Sequence, residues 1–463
     1  MDANPSIPQA ASPGAWRSLP TELGLQVLEE LYALSDEANR SRRRSELATV
    51  CEEWRDFFWA KANNTLTLKD QDLPLFNSYT RGRHPYYSAT INLRIGLKPY
   101  TCDFCDQEEN DYTIAANNKI FTESAYRVLS TLSTWQSAHC VHLQIVVRSP
   151  SDYEHGFGFR DCPKHTVQAQ NRRFDREGSC SRVIGSLLDI DMKHLRHLCG
   201  PHVPRPCFPQ APAVDFFSLG ARNSARGCSA SAHEKLMASL PGLRFLRLKS
   251  RRIQGAHQYG LRRGARKALL HHLPRGLSEI EWIEAERFHG DDQAGYGLCD
   301  EDLIQSLTQL SRTIRRLALE VGSPGLHFAR LARNPSGGTW PQMQLLTFIV
   351  NGLHDATEID RSLVHLGEAA MLMPKLRRFE CGFRSAATSC DLQYMVQDHA
   401  ATLLIITLNF RVSASVQQTW EKVAERNTAH VLQVERVDGE QGVQALRRAD
   451  KKIQNMRIIR KDY

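Results

Sequence analysis

The sequence predicts an α/β chain in which a short N-terminal helical module precedes an irregular array of strand–helix units, and three observations predict it. First, a spaced apolar triad, L-x-x-L-x-L in loose form, recurs along the second half. It stands at Leu243-x-x-Leu246-x-Leu248, Leu277-x-x-Ile280-x-Trp282, Ile314-x-x-Leu317-x-Leu319, Met343-x-x-Leu346-x-Phe348, Leu376-x-x-Phe379-x-Cys381 and Leu403-x-x-Ile406-x-Leu408, with a weaker copy from Leu195. Successive triads begin 34, 37, 29, 33 and 27 residues apart, room each time for one strand and one helix. Second, helical spacing fills the gaps: Leu303, Ile304, Leu307 and Leu310 precede one strand, and Ile359, Leu363, Leu366, Ala370 and Met373 precede another. Third, Ser18 to Phe58 carries two amphipathic patterns too short to bury a core of their own.

Taken in order, residues 1–17 are rich in Pro, Ala and Ser and are expected to be disordered, with neither a signal nor a transit peptide. The helical module is expected over 18–62. Ser18 can cap a first helix, Pro20 suits its first turn and Glu22 favours its positive end. Leu23, Val27, Leu31 and Leu34 follow at helical spacing, and Leu47, Val50, Cys51, Trp54 and Phe58 form a second such set. Residues 63–135 read as a connector without a clean period as far as Ile95, followed by a helix from Phe121 to Trp135 with Tyr126, Leu129, Leu132 and Trp135 on one face. The strand–helix array is expected over 136–412, opening with a strand at Val141 to Val147. Residues 413–463 are expected to cap it: a helix with Ser415 as N-cap and Val416, Trp420, Val423 and Ala424 inward, a strand from Val431 to Val437, and a last helix through Val443, Leu446, Ile453 and Met456.

The residues Leu19-Pro20-x-Glu22-Leu23, Val27-Leu28, Leu31, and Leu47-Ala48-x-Val50-Cys51-x-x-Trp54-Arg55-x-x-Phe58 resemble an F-box, through which substrate adaptors attach to a cullin-type ubiquitin ligase by way of a Skp-type linker protein. The sequence departs from that family between Leu31 and Leu47, where a longer stretch carries Arg40, Arg42, Arg43 and Arg44. Ser149-Pro150-Ser151-Asp152-x-x-His155 resembles a segment of the expanded F-box set of filamentous fungi. The triads resemble a degenerate leucine-rich-repeat solenoid; the Asn or Cys that follows a regular triad is present only as Asn351. An ordinary helical hairpin and a compact α/β fold with evenly spaced strands are the alternatives for the two regions.

These resemblances imply a non-catalytic adaptor. Leu19, Pro20, Leu23, Leu28, Leu31, Val50, Cys51, Trp54 and Phe58 would hold the linker protein, since they are more apolar groups than so small a module can bury. In a solenoid the residues between the buried triad positions point out along the concave strand face, which would place Arg247, Lys249, Glu281, Glu320, Arg378 and Glu380 against a protein substrate. The alternative is a repeat scaffold that binds a partner without any ligase.

Composition narrows the remaining classes. The 463 residues are 41% hydrophobic and 24% charged, as in an ordinary globular protein, with a formal charge of +8 scattered in isolated Arg pairs. Nucleic acid is not the expected partner; the basic Arg447, Arg448, Lys451 and Lys452 read as the solvated face of a terminal helix. No apolar run approaches the roughly 20 residues needed to span a bilayer, so no membrane is expected, and the compartment is cytoplasmic or nuclear. Twelve cysteines in such a chain read as reduced thiols. Cys102 and Cys105 have the gap of a zinc knuckle, but His139, Cys140 and His142 lie more than 30 residues on, so no metal site is assigned. No G-x-S-x-G, H-E-x-x-H, P-loop or G-x-G-x-x-G occurs; neither an enzyme nor a cofactor is expected.

Overall fold

The computed structural model describes residues 19–34, 46–47, 49–51, 53–54, 57–58, 65–80, 89–101, 109–135, 140–152, 187–199, 207–220, 226–251, 256–285, 301–320, 338–351, 355–384, 389–397, 400–408, 411–428 and 431–438. The chain divides into two compact units, Met1–Leu66 with Pro85–Thr90, and Thr67–His84 with Ile91–Tyr463.

In the first unit, helix α1 spans Thr21–Leu34, and residues 46–47, 53–54 and 57–58 are helical. Leu28, Phe57 and Phe58 form its buried core, with Leu31, Tyr32, Leu47 and Trp54 packed around them. Phe58 is the hub: Phe57 meets it edge-on at 5.4 Å, and Trp54 and Tyr32 lie 6.1 and 6.4 Å away.

The second unit is built on a sheet of 12 strands among the described residues, paired strictly in chain order. The elements are β1 (Thr65–Lys69), α2 (Leu73–Thr80), β2 (Ala89–Gly96), α3 (Asp111–Leu132), β3 (Val141–Arg148), the short α4 (Arg196–Cys199), β4 (Val214–Leu219), α5 (Ala230–Ala238), β5 (Phe245–Arg251), α6 (Ala256–His271), β6 (Glu279–Ala285), α7 (Glu301–Ser311), β7 (Arg316–Glu320), β8 (Leu345–Asn351), α8 (Ala356–Ala370), β9 (Arg378–Arg384), β10 (Ser389–Gln397), β11 (Ala400–Leu408), α9 (Ala414–Thr428) and β12 (Leu432–Asp438). Strands β3 to β9 run parallel, β10 is antiparallel to both neighbours, and β11 and β12 are parallel to each other.

The first five triads occupy equivalent places in this sheet. Their second residues lie in one register row, Leu246, Ile280, Leu317, Leu346 and Phe379, and their third in another, Leu248, Trp282, Leu319, Phe348 and Cys381. Both rows continue backward through Phe217 and Leu219 of β4 to Leu143 and Ile145 of β3. All of these side chains are buried. The first triad residue sits in the turn before each strand, and the backbone there repeats as well: Arg244 accepts from Ser278, Ser278 from Arg315, Arg315 from Gln344, and Gln344 from Arg377. Helices cover the triad side. Trp420 of α9 lies 4.8 Å from Phe379 and 5.4 Å from Tyr394 and donates to the Leu363 carbonyl of α8, and Arg266 of α6 stacks over Trp282.

Four expectations are corrected. The sixth triad is out of place: Leu403 and Ile405, not Ile406 and Leu408, continue the two buried rows through Tyr394 and Leu392. The segment leading to it holds the hairpin strand β10, where those leading to β5, β6, β7 and β9 hold a helix, so the inward set alternates at strand period. The connector contains strands β1 and β2 of the sheet, whose few inward residues, Leu68 and then Ile91, Leu93 and Ile95, are buried. The helix expected from Phe121 begins at Asp111, where Asn110 caps it by accepting from the Thr113 amide. Helix α9 starts at Ala414, so Ser415 lies inside it and cannot be the cap. Residues 1–17, the Arg-rich stretch at 40–44 and the final helix through Met456 lie outside the described residues.

Candidate functional site

Helix α1 has two apolar faces. Leu28, Leu31 and Tyr32 turn into the core of the first unit. Leu23, Val27 and Leu34 fall within an arc of about 40° on another side at 3.6 residues per turn, and they are 50%, 41% and 69% exposed. Leu19, just before the helix, and Val50 are also exposed. Fully burying such a side chain is worth about 1.5–3 kcal/mol, so this stripe is a standing free-energy gradient toward a cover.

Of the nine residues assigned to linker binding, Leu19, Pro20, Leu23 and Val50 are exposed, and Leu31, Cys51 and Trp54 are partly buried. Leu28 and Phe58 are corrected: they form the buried core of the unit and have no surface to offer. Sequence spacing treated the apolar residues of α1 as one stripe because both faces obey the same period; only the position of the Phe57–Phe58 pair separates them.

The residues expected to meet a substrate alternate with the buried triads and therefore share the opposite side of the sheet. There they pair with one another. Arg247 donates to Glu281 through Nε at 2.8 Å and Nη2 at 2.7 Å, Arg378 binds Glu380, and Thr347 reaches Glu380 from the next strand at 3.5 Å. Arg316 adds a 3.7 Å contact with Glu279. Glu281 and Glu380 are buried, which corrects their assignment as outward contact residues. Arg247, Lys249 and Arg378 are half-buried, and the side chain of Glu320 lies outside the described residues. Beside Arg247 an aromatic run crosses three strands: His142 and Phe216 lie 4.9 Å apart, and Phe216 stacks on Phe245 at 4.4 Å and 6°. Arg247 covers both phenyl rings at 5.6 and 5.7 Å. With its charges matched internally, this face offers little field to a polyanion.

A second polar group was partly visible as Ser149-Pro150-Ser151-Asp152. Arg226, beyond the end of β4, donates from Nη1 to both oxygens of Glu109 at 2.7 Å and lies 3.9 Å from Asp152. Asp152 also accepts from the Tyr100 hydroxyl at 3.1 Å and the Ser149 amide at 2.9 Å, and the Asn117 amide supports Glu109 at 3.1 Å. Ser149 and Ser151 tie this segment to the backbone of Lys98 and Tyr100. All three charged side chains are buried. The group locks together the chain beyond the carboxyl ends of β2, β3 and β4, and its members are too far apart in sequence for any local pattern to join them.

Near the amino ends of β3 and β4, Cys140 and His142 approach Asp215, with His142 Nε2 4.0 Å from its carboxylate. Burial and then the Asp215 charge push the Cys140 thiol up, against any role as a nucleophile. Among the described residues no group of three or more His, Cys, Asp or Glu is placed to hold a metal ion; Cys102, Cys105 and His139 lie outside them. No described helix is long and apolar enough to cross a membrane.

The model of a family of unknown function (DUF6546) matches residues 289–459, just over a third of the chain and wholly within the second unit. A search of curated proteins finds no match.

Proposed function

We propose that the chain is the substrate-recognition adaptor of a Skp-cullin-F-box ubiquitin ligase. In this reading the first unit is the F-box that docks on the Skp-type linker, and the second is an irregular leucine-rich-repeat-like solenoid that holds a protein substrate. The observation that carries it is the exposure of Leu19, Leu23, Val27, Leu34 and Val50 on a unit whose buried core, among the described residues, is Leu28, Phe57 and Phe58. A helix with one apolar face inward and a second left outward suits helix-in-groove docking.

The body supports the adaptor in a second way. Among the described residues its strands pair in chain order without the reversal that makes the small-molecule crevice of doubly wound sheets, and on its open face Arg247 pairs with Glu281 and Arg378 with Glu380. Such an adaptor works without covalent chemistry, by raising the concentration of substrate near a ubiquitin-loaded enzyme.

Co-purification with a Skp-type linker tests the reading. Wild type is expected to bind, and Leu23→Ala with Val50→Ala to reduce binding at least about tenfold, two anchors at roughly 1 kcal/mol each, with the helical content of the chain unchanged. If wild type does not bind where a known F-box protein does, the ligase reading is lost. Trp54 is a poor choice for this test, because it packs on the unit's core and its truncation would unfold the module itself.

A further inference from the structure

We propose that the amino-end edge of the parallel sheet binds an extended, Asp/Glu-rich segment of a protein partner, along a line of arginines held in place by the strand register. Strands β5 to β9 all start at this edge. The five turns that enter them, residues 239–245, 272–279, 311–316, 338–345 and 371–378, carry eight Lys or Arg and one acidic residue, Glu279. That surplus is almost as large as the formal charge of the whole chain, +8. Helices α5 to α8 end where four of these turns begin, and their carbonyl termini offset only about two of the charges.

Arg244, Ser278, Arg315, Gln344 and Arg377 each stand directly after the first residue of a triad, and each but the last accepts a backbone hydrogen bond from the next. They therefore step along the edge at the strand spacing of about 4.8 Å, which puts successive arginines about 10 Å apart. Arg244, Arg315 and Arg377 are exposed. Their side chains enter no hydrogen bond or ion pair among the described residues. The second arginine of each Arg-Arg pair behaves differently: Arg316 meets Glu279, and Arg378 binds Glu380. One member of each pair is thus matched on the open face, and the other is left at the edge.

The spacing selects the form of the partner. A polyproline II segment advances about 9 Å in three residues and sets every third side chain on one face. Asp or Glu at every third position would then meet Arg377, Arg315 and Arg244 in turn, each carboxylate accepting from a guanidinium. Nucleic acid matches less well. Phe245 and Trp340, the aromatic residues of these turns, are buried, so bases find no ring there to stack on. The proposal names the kind of segment that the second unit would hold, and it rests on the reading of that unit as substrate-binding.

Fluorescence anisotropy on the full chain tests it, with a labelled peptide of about ten residues that has Glu at every third position and Pro or Ala between. Wild type is expected to bind at low salt and to weaken as salt rises, and the same peptide with Gln for Glu is expected not to bind. Arg244→Gln, Arg315→Gln and Arg377→Gln are each expected to weaken binding about two- to fivefold, and together about tenfold or more. Removing three exposed charges elsewhere, by Arg94→Gln, Lys193→Gln and Arg196→Gln, is expected to leave it unchanged. Failure of wild type to bind the Glu peptide, or equal losses in the two triple variants, overturns the proposal. So does a single-stranded oligonucleotide that binds at least as tightly through the same arginines. The assay contains no linker protein, so its failure leaves the docking of the first unit standing.

Discussion

His233 is the residue with the plainest energetic signature. It lies on α5, buried, and its Nδ1 has no hydrogen-bond partner among the described residues. Burial lowers its pKa from 6.5 to about 4. Between those values the unfolded chain holds a proton that the folded chain does not, so stability is complete above pH 6.5 and falls as the pH drops toward 4. The loss from this residue reaches about 3 kcal/mol, at 1.36 kcal/mol per pKa unit. Urea melts between pH 7 and pH 4 check it: His233→Leu is expected to flatten that part of the profile, and an unchanged slope would show that other groups carry it. Gly242 makes a separate residue-scale prediction. A Cβ there would meet the Pro212 carbonyl oxygen at 2.2 Å, a backbone atom that cannot swing aside. Gly242→Ala is expected to destabilise the second unit by about 1–3 kcal/mol, measured by thermal denaturation.

At the scale of elements, α1 carries packed and exposed apolar residues along one helix. Phe58→Ala removes the hub of the first unit and is expected to cost about 3–5 kcal/mol, melting its helices. Leu23→Ala lies on the exposed stripe and is expected to change stability by less than about 0.5 kcal/mol. Amide hydrogen exchange across Thr21–Leu34 distinguishes them, and equal loss of protection in both variants would mean that Leu23 is core. Helix α9 shows how far spacing alone reaches: Val416, Trp420, Val423 and Ala424 were all legible as an inward face, and all four are buried. The neighbouring β10–β11 hairpin was not legible. Its residues continue the same apolar density as the triads, and a strand of alternating period mimics L-x-x-L-x-L when both faces are apolar, as Leu403, Ile405 and Ile406 are here.

For the whole molecule, the buried Arg226–Glu109–Asp152 group is the long-range fastening of the second unit. Arg226→Met leaves two buried carboxylates without their cation and is expected to cost about 3–5 kcal/mol. Hydrogen exchange is expected to rise first around Lys98–Tyr100 and Ser149–Asp152, the segments it ties. A uniform loss across the sheet would instead make the group part of a single cooperative core. The register rows explain why the array tolerates irregular steps. Each unit has only to deliver its second and third triad residues to the same two rows, and the connections are free to vary in length.

Sequence by itself determined the local facts: which residues of five triads and of helices α8 and α9 turn inward, because burial periodicity is written into neighbouring positions. Tertiary structure alone decided four others. It split the apolar residues of α1 between a core and an exposed stripe, and it drew β1 and β2 from an unpatterned connector into the sheet. It paired Arg247 with Glu281, and it joined Arg226 to carboxylates far away in the chain. Each of these depends on what lies across from a residue in space, and a one-dimensional pattern records only what lies beside it.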